Sequence, residues 1–283
     1  MTHFYILGDM GSGLKSQYDV SKSMGRHILK NIDNSDTFIC GLGDNIYECG
    51  CEDINDIGFE DKFEKPYRNI SDNIKFYMCL GNHDYGNYGF GDPMAQVEYG
   101  RLSHMKGGKW YMPNKYYTFR KGDIDFFVLD TNFDEMDDND SKDKQLEYFK
   151  TKIKQSKAKW KIVYGHHTWR SVGGHGNAES ELEEFLSVLL KYVDFDIYMC
   201  GHDHNKQIID LNLFDKDVTL IVCGTGGKVY DDKNNYMDLN KDSDLLFCSN
   251  NLGYGYFIQE GNKLYIYFYN EKDQIEYIHL IKK

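Results

Sequence analysis

The sequence is short of positive charge: 33 Lys and Arg stand against 45 Asp and Glu, a formal net charge of −12. That balance argues against a nucleic-acid groove or an anionic membrane surface, because both take their affinity from clustered Lys and Arg. It also means that an anionic substrate must be met by local positive charge, such as bound metal ions. No apolar run approaches the length needed to span a bilayer. Met1-Thr2-His3-Phe4 opens directly into a strand-like run with no signal peptide, so the expected location is the cytoplasm or a particle, unless a secretion signal has been removed. A disulfide framework is not expected either. The 7 cysteines are odd in number, and Cys40, Cys79, Cys200 and Cys223 end strand-like runs, as buried thiols in a reduced compartment do. Cys49-Gly50-Cys51 lies in a loop, where plain thiols are expected and a redox or metal role is the alternative. Proline is scarce, at 3 residues, while Lys, Asn, Asp, Ile and Tyr are plentiful; this reads as nucleotide bias in the source genome.

What is present can fill a large core. Hydrophobic residues are 41% of the 283 and aromatics 15%, ordinary to generous for a globular chain. His3 to Leu7 reads as a buried strand, Gln17 to Ile32 as a helix, and Thr37 to Cys40 as the next strand. A short helix is expected at Phe59 to Tyr67 and a third strand at Lys75 to Leu80, followed by an irregular Gly- and Tyr-rich excursion from Tyr85 to Met105. Tyr116 to Arg120 and Asp125 to Leu129 form a hairpin; Asp134 to Asp143 is a solvated acidic linker; Gln145 to Gln155 and Glu179 to Tyr192 are helices. Strands at Lys161 to Tyr164 and Asp196 to Met199 precede a strand-rich remainder: Gln207 to Leu211, Val218 to Val222, Gly255 to Gln259, Lys263 to Tyr269 and Gln274 to Ile281. With no internal repeat or interdomain linker, residues 1–283 are expected to form one layered domain of two sheets with outer helices.

Strand-like runs repeatedly end in Gly followed by Asp, Asn or His. The residues so presented are Asp9, Asp44 with Tyr47, Asn82 with His83, His166, and His202 with His204. Ligands at the carboxyl ends of several strands converge on one crevice. Chance turns would not select carboxylate, amide and imidazole at every strand end. The donors are too many and too hard for one structural zinc, and a two-metal site bridged by a carboxylate fits the count. In Gly43-Asp44-Asn45-Ile46-Tyr47 the carboxylate can bridge two cations, and a phenolate suits a high-charge cation such as ferric iron.

Gly8-Asp9-Met10-Gly11, Gly43-Asp44-Asn45-Ile46-Tyr47, Gly81-Asn82-His83-Asp84, Gly165-His166-His167 and Gly201-His202-Asp203-His204 together resemble the metal motifs of purple acid phosphatases, a branch of the dinuclear metallophosphoesterases. The likeness continues through Trp110-Tyr111-Met112-Pro113, Phe127-Val128-Leu129-Asp130-Thr131 and Gln145-Leu146-Glu147, and is greatest to the small, tartrate-resistant animal type. Gly11, where other metallophosphoesterases have His, and Tyr47 both point to the purple branch. The resemblance implies an α/β (α+β) fold, a four-layer αββα sandwich of two mixed β-sheets flanked by helices. It implies Fe(III) held by Asp9, Asp44, Tyr47 and His204, and a second divalent metal (Fe, Zn or Mn) held by Asp44, Asn82, His166 and His202. His83 and His175 match the family's outer histidines, which grip phosphate and assist the leaving group. The implied activity is that of an acid phosphatase: hydrolysis of phosphate monoesters by in-line attack of a metal-bound hydroxide. The implied ligand set would leave an excess of about two positive charges, enough to attract phosphate to an acidic protein.

The expected partners are small phosphorylated substrates, with no nucleic acid and no membrane, and the chain is expected to be a monomer. Specialisation for phosphoproteins, nucleotides or phosphodiesters is the alternative. A non-catalytic binding protein on the same scaffold is disfavoured, because every expected ligand residue and both histidines are present. The family's usual secretion signal is missing, and the sequons at Asn69 and Asn139 matter only in a secreted protein. His167-Thr168-Trp169-Arg170 replaces the family's aromatic-Pro pair, so leaving-group contacts are expected to differ. Asp84 is expected to orient the His83 ring. His167 is expected to point away from the metals, while His3, His27, His104 and His279 read as structural or surface residues.

Overall fold

In the computed structural model, which describes residues 1–30, 37–86, 90–136, 141–229 and 237–283, the buried strands assemble into two seven-stranded sheets. In the first, β1 (Thr2–Leu7), β2 (Phe38–Gly41), β3 (Phe76–Met78) and β4 (Trp110–Tyr111) run parallel. β12 (Gly253–Glu260), β13 (Lys263–Asn270) and β14 (Ile275–Lys282) extend it beyond β1 as an antiparallel meander. In the second, β6 (Ile124–Val128), β7 (Trp160–Tyr164), β8 (Ile197–Cys200) and β10 (Lys216–Cys223) are parallel neighbours. The antiparallel strands β5 (Tyr117–Lys121) on one side, and β9 (Lys206–Leu213) with β11 (Ser243–Ser249) on the other, complete that sheet.

The abundant aromatics fill the space between the sheets. Phe4 of β1 stacks on Phe38 and Phe257 of its own sheet and meets Phe126 of the facing sheet edge-on, with centroids 5.3 Å apart. Such pairs contribute about 0.5–1.5 kcal/mol beyond the area they bury. Two phenols also cross the gap to satisfy strand-end carbonyls: Tyr117 Oη donates to Met78 O at 2.8 Å and Tyr164 Oη to Tyr77 O at 2.9 Å. Helices cover the outer faces. Val20, Met24 and Ile28 of α1 (Lys15–Lys30) belong to the same core as the first sheet. Phe149 and Ile153 of α4 (Lys142–Gln155), with Leu182, Phe185, Leu186 and Leu189 of α5 (Ser180–Tyr192), cover the second. The expected pair of mixed sheets flanked by helices is the observed architecture.

Local differences have physical reasons. The stretch read as irregular from Tyr85 to Met105 contains the helix α3 (Pro93–Met105), following a short α2 (Ile57–Phe59) that continues as a π-helical turn, Glu60–Glu64. Asp92 caps α3, its side chain accepting from Met94 N at 2.8 Å, with Pro93 in the first turn; both are helix-start signals. The buried face of α3 mixes small and polar residues with a single aliphatic one, Ala95, Gln96, Val97, Gly100 and Ser103, which hides the apolar period. A Cβ on Gly100 would lie 2.8 Å from Met112 N, so the helix seats directly against the strand-end backbone. The edge strand β11 went unread because Asp244, Leu245 and Leu246 are all exposed, leaving no alternation. The end of the expected helix at Ile32, the centre of the acidic stretch and the Asn139 sequon lie outside the described residues. All seven cysteines are free thiols and five of them are buried, Cys51 included.

Trp169 and Arg170 turn inward. Trp169 Nε1 donates to Glu183 of α5 at 3.2 Å, and the buried Arg170 pairs with Glu183 and with Asp242, the latter through Nη2 at 2.7 Å and Nε at 3.1 Å. The guanidinium thus ties α5 to the segment entering β11. Removing the buried guanidinium leaves two partly exposed carboxylates that water can reach, so the lost charged hydrogen bonds cost about 1–3 kcal/mol. Arg170→Ala is therefore expected to lower the unfolding free energy by about that amount, read by denaturant titration against the unchanged protein.

Candidate dinuclear metal centre

Parallel pairing sets the strand ends level: Leu7 lies opposite Gly41, Gly41 opposite Met78, and in the other sheet Tyr164 opposite Met199. The chain leaves each of these ends in a tight turn. Three presented residues adopt the left-handed backbone region: Asp9 (φ 54°), Asp44 (φ 51°) and His202 (φ 68°). Non-glycine residues there are uncommon and cluster at functional sites, where the surrounding structure holds them. Gly43 explains why glycine precedes Asp44. Its φ is +87°, and a Cβ on it would fall 2.5 Å from the His166 Nδ1.

The seven side chains meet, and they meet in two groups. Tyr47 Oη lies 3.1 Å from both Asp9 Oδ1 and His204 Nε2, and His204 Nε2 lies 3.4 Å from Asp9 Oδ1. In the second group, His166 Nε2 lies 3.1 Å from both Asn82 Oδ1 and His202 Nδ1. Asp44 stands between them, its Oδ1 3.4 Å from His166 Nε2, and ligand atoms of Asp9, Asp44 and His166 all lie within 4.8 Å of one another. The His166 Nδ1 is held by Leu42 O at 2.9 Å; the proton belongs on that nitrogen and the Nε2 lone pair faces the cluster. Asp9, Asp44, Tyr47 and His166 are buried, whereas Asn82 is exposed, so the cluster is closed at the carboxylates and open at the amide.

This donor set fits cations. Burial, followed by the nearby Asp9 and Asp44 carboxylates, pushes the Tyr47 phenol far up, so a phenolate here needs a positive partner. Burial works against ionising Asp44, yet His166, His83 and hydrogen bonds from Tyr47 and the His83 amide hold its carboxyl low. Carboxylate oxygens and imidazole lone pairs aimed at shared points are hard ligands without donors of their own.

Around the cluster, Asp84 does something other than orient His83. Fully buried, it accepts from the amides of Gly81 (2.8 Å), Asn45 (3.0 Å) and Ile46 (3.2 Å) and from Gln96 Nε2 (2.7 Å). It therefore staples the Asp44 turn to the Asn82 turn. His83 is fixed from the other side, its Nδ1 2.6 Å from Glu48 O, and its ring 4.5 Å from that of Tyr47. Glu48 also takes Lys228, whose Nζ sits 3.5 Å over the Tyr47 ring. His175 stacks on His202 at 3.9 Å between centroids, its amide donating to Asp203 Oδ1 at 2.9 Å. His167, expected to point away, lines the groove beside the cluster with its ring 4.6 Å from His202, and its Nδ1 meets Thr131 Oγ1 at 2.8 Å. His3 and His27 bond the phenols of Tyr256 and Tyr5, each at 2.7 Å, as structural residues.

Residues 2–206 match the family model described as calcineurin-like phosphoesterase. Purple acid phosphatase 4 of Arabidopsis thaliana is 30% identical over 284 residues, covering 94% of this chain and 79% of that one. The chain belongs to the purple acid phosphatases, within the calcineurin-like phosphoesterases. Tartrate-resistant acid phosphatase type 5 of Mus musculus is 28% identical, covering 73% of this chain and 67% of that one. Among solved structures, one described as GAP50, the anchor in the inner membrane complex of Plasmodium, superposes with a TM-score of 0.80 at 25% identity, covering 99% of this chain and 88% of that one. By family this purple acid phosphatase is a hydrolase of phosphate monoesters with a dinuclear metal centre.

The stapling role of Asp84 was missed because it is made of backbone contacts, which no residue pattern displays. Asp84→Asn turns one acceptor into a donor facing amide N–H groups. It is expected to cost about 1–3 kcal/mol and to lower metal bound per chain, checked by thermal melting and metal analysis after identical loading.

Proposed function

We propose that this purple acid phosphatase hydrolyses phosphate monoesters at an Fe(III)–M(II) centre, with Asp9, Asp44, Tyr47 and His204 holding the iron and Asp44, Asn82, His166 and His202 the divalent metal. The observation that carries this reading is the division of seven side chains into two clusters with Asp44 between them. When bound, the two cations would acidify a water and offset charge on the transferring phosphoryl group. The chain's own groups do the rest. In the hydrolysis the water oxygen bonds to phosphorus in line with the departing alkoxide, which must take a proton. His83 is half-buried and His175 exposed, so both can be reached from solvent. With its Nδ1 engaged by Glu48 O, His83 exchanges a proton through Nε2, and either imidazole can bind phosphate oxygen or protonate the alkoxide. An imidazole delivers a proton only from its protonated form. The substrates on this reading are small phosphorylated molecules, and the chain acts as a monomer.

A second reading, a binding protein on the same scaffold, draws on the likeness to the Plasmodium anchor, whose TM-score is 0.80. Metal loading separates the two. Iron-loaded protein is expected to be coloured and to hydrolyse an aryl phosphate, with Tyr47→Phe abolishing the visible band while iron stays bound. Colourless iron-loaded protein removes the Tyr47 assignment, and metal-free, inactive protein after reconstitution favours the binding role. His175→Asn is expected to slow hydrolysis of alkyl phosphates by about 100-fold. Aryl phosphates, whose leaving groups need less help from an acid, should be affected less.

A further inference from the structure

A groove of about 350 Å³ opens from the cluster, with Asn82, His175 and His202 at its inner end. On the phosphatase reading it is the space open to the leaving group of a bound phosphate ester. Its walls carry four exposed carboxylates, Asp134, Glu135, Glu179 and Glu181, and among the described residues no Lys or Arg lines it. Glu181 is shared with Lys142 at 3.8 Å, a cation that sits closer to Glu184, at 3.0 Å. Glutamates at the start of α5 have an ordinary purpose, since negative charge stabilises a helix N-terminus. Asp134 and Glu135 come from a different part of the chain. They lie on a separate 3-10 turn, Phe133–Glu135, which also lines the groove. That turn is pinned where Phe133 packs on Phe185 of α5, with centroids 5.0 Å apart. Part of the acidic stretch read from the sequence as a solvated linker is thus a fixed wall of the candidate active-site groove.

An enzyme for a dianion gains nothing from negative charge around the leaving group unless that charge selects among leaving groups. Each further negative charge on the substrate is repelled by this rim, and each positive one is drawn to it. From this we infer that the groove selects phosphate monoesters with positive charge beside the ester: phosphoserine or phosphothreonine peptides flanked by Lys or Arg. This rests on the phosphomonoesterase reading above, whose site the groove extends. The rim carboxylates are exposed, so their effect is screened by salt, with a Debye length of about 8 Å at physiological ionic strength.

The test uses the metal-loaded full chain and two phosphoserine peptides of equal length, one with flanking Arg and one with flanking Glu, beside an aryl phosphate. At low salt, kcat/KM for the Arg peptide is expected to exceed that for the Glu peptide by about tenfold, and the ratio to shrink at about 1 M salt. Glu135→Gln combined with Glu179→Gln, both at exposed positions, is expected to bring the ratio toward one. A ratio near one in the unchanged protein, or a preference for the Glu peptide, overturns the inference. So does turnover of the aryl phosphate with neither peptide hydrolysed, an outcome that spares the phosphatase reading. No turnover of the aryl phosphate overturns that reading and the inference with it.

Discussion

Two buried carboxylates, Asp9 and Asp44, share one small volume with a phenol and three imidazoles, and everything around them answers that crowding. Acceptors packed together in a low-dielectric interior repel one another and cost free energy unless donors or cations meet them. The chain supplies a partial answer from its own backbone. The His202 amide donates to Asp9 Oδ2 at 2.9 Å, and the His83 amide to Asp44 Oδ1 at 3.0 Å. Both donors belong to turns that themselves present ligands, so each turn is held in shape by the carboxylate of another. The remaining acceptor capacity points inward, where metal ions would take it up.

The backbone logic of the site was legible in the sequence; its tertiary logic was not. Glycine before Asp9, Asp44, Asn82, His166 and His202 marked sharp strand ends, and the strands of both sheets do end level. Helices with a clear apolar stripe, such as Ser180–Tyr192, were readable within a residue or so. Pro93–Met105 was lost because its buried face mixes small and polar residues, Ala95, Gln96, Gly100 and Ser103, with Val97 as its one branched aliphatic, and so carries no hydrophobic period. The groove walls were lost for another reason. Asp134 and Glu179 are far apart in sequence and line one groove, beside the contact of Phe133 with Phe185.

His167-Thr168-Trp169-Arg170, where the chain departs from the usual family pattern, changes the site in a way its composition conceals. The two large side chains are not substrate contacts. Trp169 and Arg170 are buried against α5 and Asp242, and the groove is left to His167 and Thr168. The two bulky residues belong to the scaffold here, and their neighbours His167 and Thr168 line the groove.

The left-handed backbone at Asp9 and Asp44 has a consequence for how such a protein can change. Aspartate and asparagine tolerate that conformation better than other L-residues with a Cβ. At these two positions a carboxylate can therefore become an amide with the turn undisturbed. Charge, and with it metal affinity, can be lost in one step, while the strand ends, sheets and outer surface persist. A scaffold built this way can give up its chemistry without giving up its shape.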